Sequence, residues 1–219
     1  IHAYSLIHDD LPCMDNDNIR RGKPSAHIKF GESTAVLAGN SLLTLAFEIL
    51  SSPVLNINEI NKIRLIEKIS KFAGHQGIAG GQYLDLSFEK KKKSKKEILK
   101  MQIKKTGKLF SFCAMVPSII KNKDKNTVSK FDKIGSDIGL LFQIKDDLID
   151  YSGTSKKVGK KTKKDFKKGK ATLISLLGYK NTIKYAERLK LKIFKNLDYF
   201  GNKTSEIKET IHYILYRKK

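Results

Sequence analysis

Apolar residues recur along this chain at the three- and four-residue intervals of helices that bury one face. Phe131, Ile134, Ile138, Leu141, Phe142, Ile144 and Leu148 form one such stripe through 127–151, and Ile60, Ile63, Leu65, Ile66, Ile69 and Phe72 form another within 57–88. Residues 1–11 are helix-compatible up to Pro12, and TAVLAGNSLLTLAFEIL reads as a helix capped by Ser33 or Thr34 and stopped before Pro53. Residues 97–120 read as helical, and three short helical stretches finish the chain. Residues 12–32 are polar and carry Gly22, Pro24 and Gly31, so they read as a loop. The run KKKKSKK at 90–96 reads as a loop by charge repulsion, and the Lys- and Gly-rich 152–170 as another. The pair Gly80-Gly81 either interrupts its helix or admits a close neighbour. No period-two alternation and no internal repeat is evident. The fold class predicted is all-α, with residues 1–219 as a single domain.

Composition bounds the function classes. The 219 residues are enough for one large core. Two cysteines, Cys13 and Cys113, make no disulfide framework and fit a reducing compartment such as the cytoplasm. No run of 18 apolar residues is present, so no transmembrane segment is expected, and no signal peptide is visible. Net charge is +22, which favours anionic partners: nucleic acid, a membrane surface or a diphosphate. Much of the excess is lysine accompanied by isoleucine and asparagine, a bias that an AT-rich genome also produces. No RNP, KH, zinc-finger or helix-turn-helix signature is evident, so no nucleic-acid partner is expected.

The most specific feature is HDDLPCMDNDNIRRG, residues 8–22. Asp9, Asp10 and Asp15 cluster at a helix end, with Pro12 bending the chain between them. Carboxylates beside apolar helices are costly to bury, and a hard cation removes that cost. Mg²⁺ is typically held by one or two carboxylates, substrate phosphates and water. Arg20 and Arg21 follow at once, and arginine forms forked bonds with phosphate oxygens. The second feature is FQIKDDLID, residues 142–150, in which Asp146 and Asp150 lie four apart and share a helix face. Lys160, Lys164 and Lys170 follow as mobile point charges. One Asp-Asp pair alone is usually a solvated helix end. Two pairs on separate apolar helices, each followed by a basic loop, point instead to metal-assisted diphosphate chemistry.

These residues resemble the trans-prenyl diphosphate synthases, in particular the bacterial type that makes farnesyl diphosphate. The resemblance runs through Asp9-Asp10-Leu11-Pro12-Cys13-Met14-Asp15, Arg20-Arg21-Gly22, Gly80-Gly81-Gln82, Lys105-Thr106-Gly107, Phe142 to Asp150, and Gly159-Lys160-Lys161-Thr162 with Asp165 and Gly169-Lys170. It implies an antiparallel helix bundle around a central cavity (the isoprenoid synthase fold), usually as a homodimer. It implies condensation of isopentenyl diphosphate with an allylic diphosphate, with three Mg²⁺ ions, or Mn²⁺ in their place. Asp9, Asp15 and Asp146 would hold the metals, and Asp10, Asp147 and Asp150 belong to the same catalytic motifs. Arg20, Lys105, Lys160 and Lys170 would hold the allylic diphosphate. His2 and Arg21 would contact isopentenyl diphosphate, and Thr106 and Gln143 would face the allylic cation. Tyr4 and Ser5, just before the first aspartates, would set product length, with Tyr4 as the cavity floor.

The family's upstream Gly-Lys-Arg segment is absent and the chain opens at Ile1 within a helix-compatible stretch, so helices preceding it are expected to be missing. The alternatives are a geranylgeranyl diphosphate synthase, a terpene cyclase, a non-catalytic subunit and a basic nucleic-acid binder. Intact aspartate motifs and Lys105-Thr106 weigh against the cyclase and the inactive subunit. Taken singly, His2 and His8 read as packing or capping residues, Cys13 as filler, Thr106 as a backbone-bonded hydroxyl and Gln82 as polar packing.

Overall fold

The computed structural model describes residues 1–152 and 169–217. Its helices are α1 (His2–Asp9), α2 (Ala26–Phe30), α3 (Glu32–Ser51), α4 (Glu59–Ala73), α5 (Ile78–Ser87), α6 (Lys95–Gln102), α7 (Lys108–Ile120), α8 (Lys125–Ser152), α9 (Leu173–Leu177), α10 (Tyr179–Asp198) and α11 (Ser205–Tyr216). Five residues, Ile103–Gly107, form a π-helical turn that joins α6 to α7 in one rod, and Gly201–Thr204 is a 3₁₀ turn. The all-α expectation holds.

The long α8 is the axis of the assembly, packed by α7, the π turn, α10 and α11. Its predicted stripe is buried: Ile134, Leu141, Ile144 and Leu148 lie in the main core with Ile98, Leu173, Ile193, Leu197 and Ile211. A second core joins α4 to α7 through Leu65, Phe72, Met115 and Ile119. The backbones of α7 and α8 approach closely because glycines lie at the contact. A Cβ at Gly139 would sit 2.7 Å from Gly107 Cα, and one at Gly135 would sit 2.6 Å from the Phe110 carbonyl oxygen.

The loop expected over 12–32 is more ordered than its composition implied. Ile19–Arg20 pairs antiparallel with Lys23–Pro24, and α2 follows. Arg21 and Gly22 both take left-handed φ, +53° and +76°, the backbone of a two-residue type I′ hairpin turn. Two-residue strands are too short to leave an alternating pattern.

Neither Ser33 nor Thr34 caps α3. The helix begins at Glu32, and Gly31, at φ +88°, makes the sharp turn out of α2 instead. The break within 57–88 falls at Gly74–Gly77 rather than at Gly80-Gly81, which sit inside α5. Lys95 and Lys96 belong to α6, because Ser94 and Glu97 form a reciprocal capping box that starts the helix within the lysine run. The final stretches are not all short, since α10 runs for 20 residues. It buries Thr182, Ala186, Leu189, Ile193 and Leu197 at helical spacing.

Among the described residues one helix meets the length and hydropathy of a membrane span. In α3 the mean hydropathy reaches 1.4 and little of the helix is buried. Asn40, Thr44 and Glu48 interrupt its apolar surface, and it packs on α1, α2 and α4 within the bundle.

Candidate active site

The end of α1 is wrapped by the residues that follow it. The Asp15 amide donates to the Asp9 carbonyl at 2.8 Å, Met14 and Asn16 donate to Leu11 at 2.9 and 3.0 Å, and Asp17 donates to Asp10 at 3.1 Å. Backbone bonds, rather than side-chain contacts, therefore seat Asp15 on Asp9. Asp9 is largely buried, and burial pushes its carboxyl above the usual range. Lys105 pulls it down, while Asp15 pushes it up again. A carboxylate close enough to raise the proton affinity of Asp9 makes with it a donor pair that a hard divalent cation relieves.

Asp10 faces the other way and is buried at 2% exposure. Its oxygens accept from Arg20 Nε at 3.2 and 3.1 Å and from Arg20 Nη2. That bond holds the arginine's pKa above its ordinary value. Asp10 thus fixes Arg20, which the hairpin carries beside α1. His2 feels the same cations: burial first, then the charges of Arg21, the terminal ammonium and Arg20, hold its imidazole below its ordinary pKa.

Opposite Asp9 stands the π turn. A Cβ on Gly81 of α5 would lie 2.2 Å from the Lys105 nitrogen, so α5 rests directly on the turn's backbone. Lys105 Nζ donates to Asp85 at 2.7 Å and lies 3.9 Å from Asp9. Lys170 Nζ donates to Asp15 at 2.9 Å and to the same oxygen of Asp85 at 3.1 Å. Asp85 is the hub, a carboxylate at 5% exposure between two ammonium groups. Burial would raise it, but Lys105 and Lys170 together hold it below the ordinary range. Burial likewise works against the charge on Lys105, and Asp9 and Asp85 outweigh it.

The second acidic motif meets this group along α8. Thr106 donates to Gln143 Oε1 at 2.7 Å, Gln143 Nε2 donates to Asp147 at 2.9 Å, and Gln102 Nε2 donates to Asp147 at 2.8 Å. This chain fixes which way the Gln143 amide points and presents its oxygen beside the Thr106 hydroxyl. Asp147 and Asp150 are buried at 5% exposure each. Asp146 is partly exposed and accepts from Arg217 Nη2, whose guanidinium carbon stands 4.1 Å from the Phe142 ring centroid. A cavity of about 50 Å³ opens among Asp85, Gln102, Lys105, Gln143, Asp147 and Lys170. A wider one of about 610 Å³ adjoins it at Asp147 and Lys170 and reaches Lys90–Lys93 and Tyr179.

Among the described residues no three His, Cys, Asp or Glu side chains form a ready metal cage. The donor set is instead the sparse one that Mg²⁺ uses when substrate phosphates complete its shell. Lys160, Lys164 and Asp165 lie outside the described residues. Tyr4 is buried, and its hydroxyl donates to the Ala73 carbonyl at 3.4 Å. Ser5 Oγ donates to the His2 carbonyl within its own helix.

The model of the polyprenyl synthetase family matches residues 1–214. The chain belongs to the polyprenyl synthetase family. As a member it is a prenyltransferase. Farnesyl diphosphate synthase from Bacillus subtilis is 41% identical over 197 residues, covering 86% of this chain and 67% of the relative. Geranylgeranyl diphosphate synthase from Cyanophora paradoxa is 38% identical over 218 residues, 99% of this chain and 73% of the relative. Among solved structures, a geranyltransferase from Helicobacter pylori complexed with magnesium and isoprenyl diphosphate superimposes with a TM-score of 0.86 at 34% identity, over 98% of this chain and 70% of that one.

Two residues of this polyprenyl synthetase site escaped the sequence reading. Asp85 is a lone acid in GGQYLDLS, and its signal was an acidic side chain three residues after Gln82 on a mostly apolar helix. Gln82 is itself buried, with neither amide atom bonded among the described residues. Arg217 sits 71 residues from Asp146, and no local pattern links the two.

Proposed function

We propose that this chain is a Mg²⁺-dependent prenyl diphosphate synthase that condenses isopentenyl diphosphate with dimethylallyl and geranyl diphosphates to give farnesyl diphosphate. One observation carries the reading: Asp9 and Asp15, clamped by a backbone bond, meet the ammonium groups of Lys105 and Lys170 beside the oriented Thr106–Gln143 pair. Residues 1–219 act as one catalytic domain in this reading.

Asp9, Asp15 and Asp146 hold the metal ions, three in number by family likeness. When bound, Mg²⁺ neutralises the charge that develops on the departing diphosphate. Lys105, Lys170 and Arg20 hold the allylic diphosphate as fixed cations where that charge grows, and Lys160 joins them. Asp85 keeps two of those ammonium groups aimed at the site before substrate arrives. Gln143 Oε1 and Thr106 Oγ1 turn their lone pairs to the electron-poor allylic carbon, while buried walls keep water away. His2 and Arg21 orient isopentenyl diphosphate for attack by its double bond. The proton lost afterwards passes to the released diphosphate.

Tyr4 lies five residues before Asp9 on α1, so its backbone sits about 7 Å further down the helix axis than that of Asp9. We read it as the floor that stops the tail at C15, beside Ser5. The likeness to geranylgeranyl diphosphate synthases supports the alternative C20 product. Chromatography of dephosphorylated products formed from isopentenyl and dimethylallyl diphosphates decides between them. Asp9→Ala is expected to lower turnover by about 10²–10³, the worth of one electrostatic group in such a site. Full activity in excess EDTA refutes the metal reading. The exposed Val36, Leu37, Leu45 and Ile49 of α3 support a homodimer, with a second copy covering them, in an enzyme of the cytoplasm. A monomeric mass by sedimentation refutes the dimer.

A further inference from the structure

Position 39 of α3 is glycine because an imidazole occupies the space a side chain would need. A Cβ built on Gly39 would lie 2.0 Å from His8 Nε2, 2.3 Å from Cδ2 and 2.9 Å from Cε1. The three atoms nearest to that Cβ all belong to this ring. His8 Nε2 stands 3.1 Å from the Val36 carbonyl oxygen, so with its proton on Nε2 the ring donates to α3. Although His8 adjoins Asp9 in sequence, its ring turns to α3 and takes no part in the carboxylate–ammonium cluster.

One helical turn earlier on α1, the Tyr4 ring meets His8 edge to face, with centroids 5.6 Å apart and planes at 90°. The tyrosine is therefore braced at two points. Its hydroxyl reaches the Ala73 carbonyl at the end of α4, and its ring abuts an imidazole seated on bare α3 backbone.

We propose that His8, seated on Gly39, is a positioning residue for product length: it holds the Tyr4 ring across the end of the prenyl cavity without touching substrate. This inference rests on the reading of Tyr4 as the cavity floor. Interiors are close-packed, so removing the imidazole leaves a space into which an aromatic ring is free to turn. The floor then drops although Tyr4 itself is unchanged.

The test uses the full chain with Mg²⁺ and both five-carbon diphosphates, reading the C20:C15 product ratio. His8→Ala is expected to raise that ratio about three- to tenfold, the equivalent of losing one edge-to-face aromatic contact. The double variant His8→Ala/Gly39→Leu refills the space from the α3 side and is expected to return the product to C15. A simple loss of stability lowers turnover but leaves the ratio alone, and the rescue reverses only a change in the floor. A C15 product from His8→Ala, where Tyr4→Ala lengthens the product, overturns the brace and leaves the floor standing. A C15 product from Tyr4→Ala overturns both. If His8→Ala does not turn over, calorimetric titration with farnesyl and geranylgeranyl diphosphates gives the same readout without chemistry. An affinity ratio equal to wild type overturns the proposal, and a shift toward the longer ligand upholds it.

Discussion

Replacing Asp85 by asparagine removes one charge from the point where two ammonium groups converge. Lys105 and Lys170 both donate to it, at 2.7 and 3.1 Å, and their side chains are only 18% and 9% exposed. Removing one member of a buried ion pair typically costs ~3–5 kcal/mol. Here each lysine keeps a second carboxylate, Asp9 at 3.9 Å and Asp15 at 2.9 Å, and the new amide oxygen still accepts a bond. The expected loss of stability is therefore nearer ~2 kcal/mol.

The sign of its pH dependence follows from the direction of the shift. Asp85 is held below the ordinary carboxylate value of 3.8 in the fold, so the folded state binds its proton less readily than the unfolded chain. Its contribution is fully present above that value and disappears as the pH falls through the lowered one. Guanidinium denaturation of metal-free wild type and Asp85→Asn measures the gap. It should be widest near neutrality and close progressively below pH ~4. Equal stability at pH 7, or a gap that persists unchanged into acid, refutes the hub.

Gly81→Ala places a methyl 2.2 Å from the Lys105 nitrogen, so the π turn must shift; overpacking of this kind costs ~1–3 kcal/mol, and both midpoint temperature and turnover should fall. Ser94→Ala removes the capping box of α6 and should cost ~1 kcal/mol in denaturant unfolding with no change in product length. Because burial raises the Asp9 carboxyl, Mg²⁺ binding measured by calorimetry should weaken as the pH is lowered toward that raised value, while an Asp9→Asn variant should show a flatter dependence.

The acidic motifs were legible because carboxylates on apolar helices are chemically out of place, and α8 was legible because its stripe is long and periodic. Asp85 was not, since a single acid in a helix is ordinarily solvated, and only the fold brings two lysines to it. The Arg217–Asp146 contact was hidden for the same reason. The position of Gln143 was visible, but its orientation depends on hydrogen bonds from Thr106 and to Asp147 that no spacing predicts. Local errors were errors of punctuation. Gly80-Gly81 were open to two readings, a helix break or a close neighbour, and the close neighbour is what Gly81 has, while the break at Gly74–Gly77 carries a weaker signal. The lysine run looked like one loop, yet Ser94 inside it and Glu97 just after it nucleate α6.

The π turn at Ile103–Gly107 amounts to one residue more than the α-helical rod requires. Closing i→i+5 bonds takes about one more residue per revolution than an α-helix does, so the turn absorbs the extra residue and keeps the face that α6 turns to α5 in register with the face that α7 turns to α8. Were Ile103–Gly107 to tighten into an α-helix with no residue lost, everything after it would rotate by about 100°, swinging Phe110, Ser111 and Ala114 off the glycines of α8. Deleting one residue within 103–107 would instead give a smooth helix with those contacts kept, and would remove only the widened turn that carries Lys105 and Thr106. Such a deletion should therefore lower turnover far more than stability.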